Sequence, residues 1–393
     1  MPVPFLDLNP QYESLKEELD EAVRRVVSSQ RFILGPEVES LEEEVADYLG
    51  VAYAVGVASG TDALLLPLKA LEPGPGEEVI VPAFTFFATA GAVWNAGYTP
   101  TFCDVDPSSF NVTAETLEAS WTEQTRAVIP VHLYGQMAPM PEIRAWANDR
   151  GVFVLEDAAQ AIGARQSFRA ARFAPAETDP HLSVEESATT SGWAMAGCLG
   201  NAGAFSFFPT KNLGGFGDGG MVTTHDEVLA EKVAKLRVHG GRQMYHHEKV
   251  GTNSRLDALQ AAVLRTKLPH LDAWAERRRR NAGLYDEFFS DLEEVETPLV
   301  AEGNHHVYNQ YTLRVRARDE LREFLSQRGV GNGIYYPKAL HLQECFQAIG
   351  GREGDLPVAE QLTREVISLP IFPELTEAQV AEVAASVREF FRA

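Results

Sequence analysis

Apolar residues recur at helical spacing over 12–27, where Leu15, Leu19, Ala22, Val23 and Val26 fall on one face. A second stretch opens at Gly35-Pro36 and places Val38, Leu41, Val45 and Leu49 on one side. The proline in its first turn and Gly50 just past its end fit the usual asymmetry of helix termini. Beyond residue 50 the pattern changes. Continuous apolar runs over 54–57, 79–81, 101–105, 127–131 and 152–155 read as strands, separated by helical stretches over 61–70, 85–95 and 140–149. Strands apolar on both faces and separated by helices predict an α/β fold with a mainly parallel sheet covered on both sides. Further strands are predicted over 204–207 and 221–224, and further helices over 228–236 and 256–264.

A long charged helix is predicted over 271–289, then a strand at 311–315, a helix at 319–327, a strand at 334–336 and a terminal helix at 376–391. This divides the chain into a large domain, 1–269, and a smaller C-terminal α+β domain, 270–393. Residues 167–196 are rich in Ala, Ser, Thr, Glu and Pro and carry no period. They are read as a long, mobile surface loop, an insert set within 166–200.

Composition narrows the function. The chain has 393 residues, long enough for a large core and two domains, and a formal charge of -22. So acidic a surface argues against non-specific nucleic-acid binding and against docking on an anionic membrane. The run Arg277-Arg278-Arg279-Arg280 lacks interleaved aromatics and reads as a solvated helix face. Three distant cysteines, Cys103, Cys198 and Cys345, give neither a disulfide framework nor a zinc site. With no signal peptide or membrane-length apolar run, the expected location is cytoplasmic.

The chemistry is carried by two segments. Ser206-Phe-Phe-Pro-Thr-Lys211-Asn-Leu-Gly214-Gly215-Phe-Gly217-Asp-Gly-Gly220 sets one lysine between an apolar run and a glycine-dense turn. Glycine lets a backbone fold closely around a ligand. A lysine amine buried there has a lowered pKa and becomes a nucleophile for carbonyl carbon. Val152-Phe-Val-Leu-Glu156-Asp157 is a strand ending in carboxylates, and such an end faces cofactors in α/β proteins. Pyridoxal phosphate needs both a lysine and an acid that keeps its ring nitrogen protonated. Ser59-Gly60-Thr61 reads as a helix N-terminus able to take a phosphate, or as an ordinary N-cap. In Phe84-Thr85-Phe86-Phe87 one aromatic can lie on a planar ring, while others fill the core.

These segments, in this order, resemble the DegT/DnrJ/StrS class of fold-type I PLP-dependent aminotransferases, which aminate keto-sugars attached to nucleotides. The resemblance also runs through Pro4-Phe5-Leu6-Asp7-Leu8, Phe32-Ile33-Leu34-Gly35-Pro36, Pro130-Val131-His132-Leu133-Tyr134-Gly135-Gln136 and Gly251-Thr252-Asn253-Ser254-Arg255. It implies that Lys211 is the Schiff-base lysine, that Asp157 pairs with the pyridine nitrogen, and that Gln160 sits near the ring's phenolic oxygen. It puts Phe86 on the ring and Gly60, Thr61 and Ser206 on the phosphate. Asn253 would reach the cofactor of a partner subunit, making a homodimer with shared sites. Within the family, 237–255 and 307–312 look most like enzymes that aminate UDP-2-acetamido-3-oxo-glucuronate. Arg255 would then clamp the sugar carboxylate, and Tyr335 would contact substrate where many relatives read His-Tyr-Pro. Glutamate is the implied amino donor. The rivals are the same chemistry on a dTDP-linked 3- or 4-keto-6-deoxyhexose, and a PLP-binding sensor without turnover.

Overall fold

The computed structural model describes residues 2–169, 191–241, 243 and 245–392. Two helices lead the chain, α1 (Asn9–Ser29) and α2 (Pro36–Leu49). Then follow β1 (Tyr53–Val57), α3 (Gly60–Ala70), β2 (Glu78–Pro82), α4 (Phe87–Ala96), β3 (Thr99–Cys103), α5 (Ala114–Glu118), β4 (Thr125–Val128), α6 (Met140–Arg150) and β5 (Phe153–Asp157). Next come β6 (Arg165–Arg169), β7 (Ser191–Met195), β8 (Ala202–Ser206), β9 (Gly220–Thr224), α7 (Glu227–Leu236), α8 (Ala258–Lys267) and α9 (Leu271–Phe289). The C-terminal part holds β10 (Asn304–His305), β11 (Tyr311–Arg314), α10 (Arg318–Gln327), α11 (Pro357–Glu365), β12 (Val366–Leu369) and α12 (Glu377–Arg392).

Seven strands form the main sheet in the order β1-β9-β8-β5-β4-β2-β3. Only β9 runs against the others, pairing antiparallel with both β1 and β8. The fold is thus α/β with a mainly parallel sheet plus a small C-terminal sheet of β11 and β12. Apolar side chains fill both faces, as continuous apolar strands require. Ile80, Val128 and Val154 pack in one cluster, and Val79, Ala127 and Leu155 in the other. Alternate residues of each strand therefore go to opposite faces.

The segments that carry Gly60, Asp157, Ser206 and Lys211 leave the sheet at one edge. The parallel strands end at Val57, Pro82, Val128, Asp157 and Ser206, and β9 starts at the same edge, with Gly220 opposite both Val57 and Ser206. The loop carrying Lys211 leaves β8 and returns into β9, so its two ends are held by adjacent paired strands.

Three expectations fail. Arg278, in the run read as a solvated helix face, is buried and donates to Tyr308 O at 3.1 Å and Ile371 O at 2.7 Å. The 167–196 stretch is not irregular at its ends: β6 and β7 pair antiparallel over five residues each, and β10 adds to β6. Residues 170–190 of the insert lie outside the described residues. The strands escape pattern reading because Arg165-Gln-Ser-Phe-Arg169 and Ser191-Gly-Trp-Ala-Met195 owe their pairing to backbone hydrogen bonds, not to a clean apolar alternation. Residues 334–336 form no strand either. Only Gly333 makes an isolated bridge, to Ser368, before the chain turns toward the sheet edge.

A third core, around Tyr285, Tyr311, Leu321, Ile367 and Val383, belongs to the C-terminal part, yet it includes Val3, which bridges to Val330. Helix α9 crosses between cores, with Leu271 and Ala275 in the large one and Ala282, Tyr285 and Phe289 in the small. Ala339, Ala359 and Leu362 return to the large core. We retain the division near residue 270 as a proposal about folding units, with 339–362 packed on the large side.

Candidate active site

Asp157 ends β5 and is buried. Thr89 Oγ1 donates to its Oδ2 at 2.8 Å, and the Ala159 backbone N–H donates to its Oδ1 at 3.2 Å. Burial pushes the Asp157 pKa up, while Thr89, the Ala159 amide, Lys211 and His132 pull it back. Lys211 lies on the 207–219 loop, its own N–H bonded to Phe208 O at 2.9 Å. Burial lowers its amine from 10.5 to about 8, with the Asp157 charge acting the other way. Each group feels the other's charge, yet no ion pair joins them among the described residues. An amine and a carboxylate that sense each other's charge without closing into an ion pair are spaced as a group held between them would need.

Beside them is a phosphate-sized cradle. Ser59 caps α3, its Oγ accepting from Asp62 N at 3.2 Å, so the ordinary N-cap is present. The amides of Gly60 and Thr61 begin the helix and are among the donors that a helix N-terminus leaves without intrahelical partners. A Cβ on Gly60 would stand 2.6 Å from Ser206 Cβ, so only glycine lets α3 approach the end of β8 this closely. This cradle, the lysine and the strand-end carboxylate fit pyridoxal phosphate: amides and the Ser206 hydroxyl for its phosphate, Asp157 for its ring nitrogen, Lys211 for its carbonyl carbon.

Aromatic groups line the opening. Phe86, 57% exposed, precedes α4, and its ring centroid is 6.0 Å from that of Tyr336. Gln160 is fixed on both sides: Oε1 accepts from Tyr134 N at 2.6 Å, and Nε2 donates to the Tyr336 hydroxyl at 3.2 Å. Burial, then the nearby Asp157 charge, raises the Tyr336 phenol. Tyr335 packs against Phe5 at 6.0 Å, and its carbonyl accepts from the Tyr134 hydroxyl.

Asn253 and Arg255 are elsewhere. Asn253 is exposed and bridges to Val238. Arg255 lines a separate cleft of about 1100 Å³ with Arg237, His239, Tyr245 and Lys249, and its buried Nε has no partner. Lys211 and Asp157 do not line that cleft.

Sequence reasoning missed Thr89 and Tyr336. Thr89 follows Phe86 by one helical turn, so spacing alone put it on the same side, but nothing in its type marked it as a carboxylate partner. It also missed what Glu156 does. Glu156 accepts from the amides of Gly197, Leu199 and Gly200 at 2.9, 2.6 and 2.5 Å, and pairs with His132 Nε2 at 2.7 Å. His132 Nδ1 accepts from Ala138 N at 3.2 Å, which places the ring proton on Nε2, donated to Glu156. Glu156 therefore anchors the turn after β7, while its neighbour Asp157 faces the site.

The glycines after Lys211 also pack closely against other parts of the chain. None of Gly214, Gly215 or Gly217 has a positive φ. A Cβ on Gly215 would meet Gln260 Oε1 at 2.7 Å, and one on Gly217 would meet Gln260 Nε2 at 2.9 Å. Gly215 and Gly217 make room for Gln260 of α8, and Gly214 for the Pro209 carbonyl of its own loop.

Comparison with known proteins fixes the class. A model described as the DegT/DnrJ/EryC1/StrS aminotransferase family matches residues 13–388. The chain belongs to that family. It is similar, at 47% identity over all of this chain and 99% of the relative, to a "Pleiotropic regulatory protein" of Geobacillus stearothermophilus. It is similar, at 45% identity over 98% of this chain and 97% of the relative, to the UDP-N-acetyl-3-dehydro-alpha-D-glucosamine 3-aminotransferase of Acidithiobacillus ferrooxidans. Among solved structures, that of S. venezuelae DesV in complex with a ketimine intermediate superposes with a TM-score of 0.91 at 42% identity, covering 100% of this chain and 99% of that one. The protein is a PLP-dependent nucleotide-sugar aminotransferase. The special likeness to glucuronate enzymes needs correcting. The UDP-2-acetamido-2-deoxy-3-oxo-D-glucuronate aminotransferase of Pseudomonas aeruginosa stands at 37%, below the glucosamine enzyme. Among the described residues no helix is long and apolar enough to cross a membrane, and no cluster of His, Cys, Asp and Glu could hold a metal ion.

Proposed function

We propose that this aminotransferase moves an amino group from glutamate to the 3-keto carbon of a UDP-linked 2-acetamido sugar. The observation that carries the reaction is the pair formed by Lys211 and Asp157 at one sheet edge, beside the α3 amides. The position on the sugar is supported by relatives whose names specify a carbon: the glucosamine, trideoxyglucose, dideoxygalactose and glucuronate enzymes all name carbon 3.

Pyridoxal phosphate, when bound, supplies a carbonyl that takes up the amino group and a ring that withdraws electrons from the reacting carbon. Lys211 gives the amine that holds it. Lys211 Nζ, its pKa lowered by burial to about 8, would serve as the base and acid that accepts and returns the proton moved during transfer. Asp157, steadied by Thr89 and the Ala159 amide, keeps a negative charge opposite the ring nitrogen. Gln160, held by Tyr134 and Tyr336, would bond to the ring's phenolic oxygen, and Phe86 would cover its face.

We further propose that two chains share their sites. Arg255 opens on a cleft without Lys211 and Asn253 is exposed, which supports their serving a partner's cofactor and substrate. A second substrate reading is favoured by Arg255: a buried guanidinium Nε with no partner suits a sugar carboxylate, as in the glucuronate form.

The test is a panel of purified keto-sugars, UDP-linked with and without the carboxylate and dTDP-linked, each given to the PLP-loaded protein with glutamate. Amination of a UDP-linked 3-keto sugar is the expected result. Turnover of dTDP-sugars alone would overturn the nucleotide, and loss of the cofactor's visible band with no sugar aminated would overturn the substrate class.

A further inference from the structure

Helix α8 carries a buried lysine. Lys267, 5% exposed, donates from Nζ to Gly214 O at 2.7 Å and lies 5.2 Å from the centroid of the Phe216 ring. Seven residues earlier, on the same helix face, Gln260 Oε1 accepts from Phe216 N at 2.7 Å. These two bonds grip the backbone on either side of Gly215, three to five residues past Lys211. The glycines permit the grip, since side chains on Gly215 or Gly217 would collide with Gln260.

The helix that grips is itself fixed. Arg265 donates to Glu37 at 2.7 Å and to Glu44 at 2.9 and 2.7 Å, tying α8 to α2, and Val263 and Leu264 are buried. The 207–219 loop is closed on itself by Gly215 N to Phe207 O and Phe207 N to Gly219 O, both 2.8 Å. Those bonds join the loop only to itself. The α8 bonds tie it to helix α8 on one side, as Asn212 Nδ2 donating to Val307 O at 3.1 Å ties it on another.

Lysine is a costly choice if packing were its sole purpose. A buried ammonium loses its hydration, and one hydrogen bond with one aromatic face returns only part of it. A methionine would fill the same stem volume without that cost. What the methionine lacks is a donor for Gly214 O.

We propose that Lys267 and Gln260 are positioning residues, which from one face of α8 fix the backbone at 214–216 and thereby set where the Lys211 amine stands. This rests on the reading of Lys211 as the cofactor-bearing lysine. Neither residue touches the reacting atoms; they act through the loop.

The test uses PLP-loaded protein and three variants: Lys267→Met, Gln260→Leu and Gln260→Glu, the last keeping an acceptor for Phe216 N. Hydrogen exchange is followed in a peptide spanning 208–220 and in a reference peptide from β11 and α10. The visible absorbance of the bound cofactor is titrated with pH. In Lys267→Met and Gln260→Leu, exchange in the loop should quicken roughly tenfold while the reference peptide stays unchanged. The absorbance midpoint should move by about half a pH unit or more, as a displaced amine requires. Gln260→Glu should restore exchange close to wild type, and the melting temperature of Lys267→Met should not fall. Unaltered loop exchange, or equal acceleration in loop and reference, would overturn the proposal. Should Lys267→Met fail to fold, its lysine serves stability after all, and Gln260→Leu alone decides the positioning claim by the same two readouts. Absence of borohydride-fixed label on wild-type Lys211 would defeat the functional reading, whereas a labelled Lys211 on an unresponsive loop defeats this inference alone.

Discussion

Thr89 Oγ1 donates to Asp157 Oδ2 across 2.8 Å, joining the first turn of α4 to the end of β5. Phe86, expected on one face of the cofactor, and Thr89, which orients the acid at its ring nitrogen, are thus set by one helix start. Thr89→Val keeps the shape and removes the hydroxyl. The half-reaction with glutamate, followed by stopped-flow absorbance, should slow about tenfold, since a bond to a charged group contributes ~1.5 kcal/mol or more. An unchanged rate would show that the backbone amide of Ala159 suffices to hold the carboxylate.

Removing the charge itself should cost more. Asp157→Asn preserves the hydrogen-bonding outline but cannot keep the ring nitrogen protonated. Turnover should fall by a factor on the order of 100 to 1000, corresponding to roughly 2–4 kcal/mol at the transition state, with the circular dichroism spectrum retained. A folded Asp157→Asn enzyme of near-normal kcat would remove Asp157 from the mechanism.

Lys211, partly buried, and Lys267, buried, both have amines lowered to about 8, and of the two only Lys211 feels the charge of a strand-end carboxylate. Borohydride reduction of the PLP-loaded protein, followed by peptide mapping, should place the pyridoxyl group on Lys211. Lys267, bound to Gly214 O, should stay unlabelled. Label on Lys267 would exchange the two roles.

The same pair sets a pH dependence of stability in the cofactor-free protein. Burial lowers each amine from 10.5 to about 8. Between these values the unfolded chain binds more protons than the native one, so both groups make stability rise with pH across that window. Below pH 8 their burial penalty is present in full. Buried tyrosines such as Tyr98, raised to about 12, work in the opposite sense above pH 10. Urea unfolding at about pH 7.5 and about pH 9.5 separates the contributions, because Lys267→Met deletes only one term. The variant should be favoured over wild type more at the lower pH than at the higher. An advantage that grew with pH would contradict a neutral buried amine.

Shared sites predict rescue between damaged subunits. Lys211→Ala chains are mixed with chains carrying Asn253→Ala and Arg255→Ala, under conditions that permit exchange. Each mixed dimer then gathers both defects in one site and leaves the other intact. Random exchange makes about half the dimers mixed, so about a quarter of wild-type activity should return. No recovery, with exchange verified by native mass measurement, would assign Asn253 and Arg255 to their own chain's site or to none.

The sheet was legible because its strands are apolar on both faces and its helices amphipathic, so period alone separated them. Helix α9 could be read to its end residues, Leu271 and Phe289, from one sustained pattern. Lys211 and Asp157 stood out because a glycine-dense turn and a strand-end acid are chemically marked. The hairpin of β6 and β7 was not legible, since its pairing depends on partners distant in sequence and carries little apolar signal. Thr89, Tyr336, Gln260 and Lys267 were hidden for a related reason. Their importance lies in which atom each one meets, and that is fixed by how α4, α8 and the 333–337 segment pack, not by residue type or spacing.

Val3 sits in the C-terminal core while α1, a few residues on, packs beside α8; α9 divides its length between cores; Ala359 and Leu362 re-enter the large one. Asn212, the neighbour of Lys211, donates to Val307 O at 3.1 Å, where the chain approaches β11. Bodies joined by a single strand of chain can swivel, and enzymes built that way grasp their substrates by rotation. Here the covalent thread passes back and forth like a seam. The two parts are thus stitched together at several points, and one returning residue, Val307, holds the neighbour of Lys211 in place.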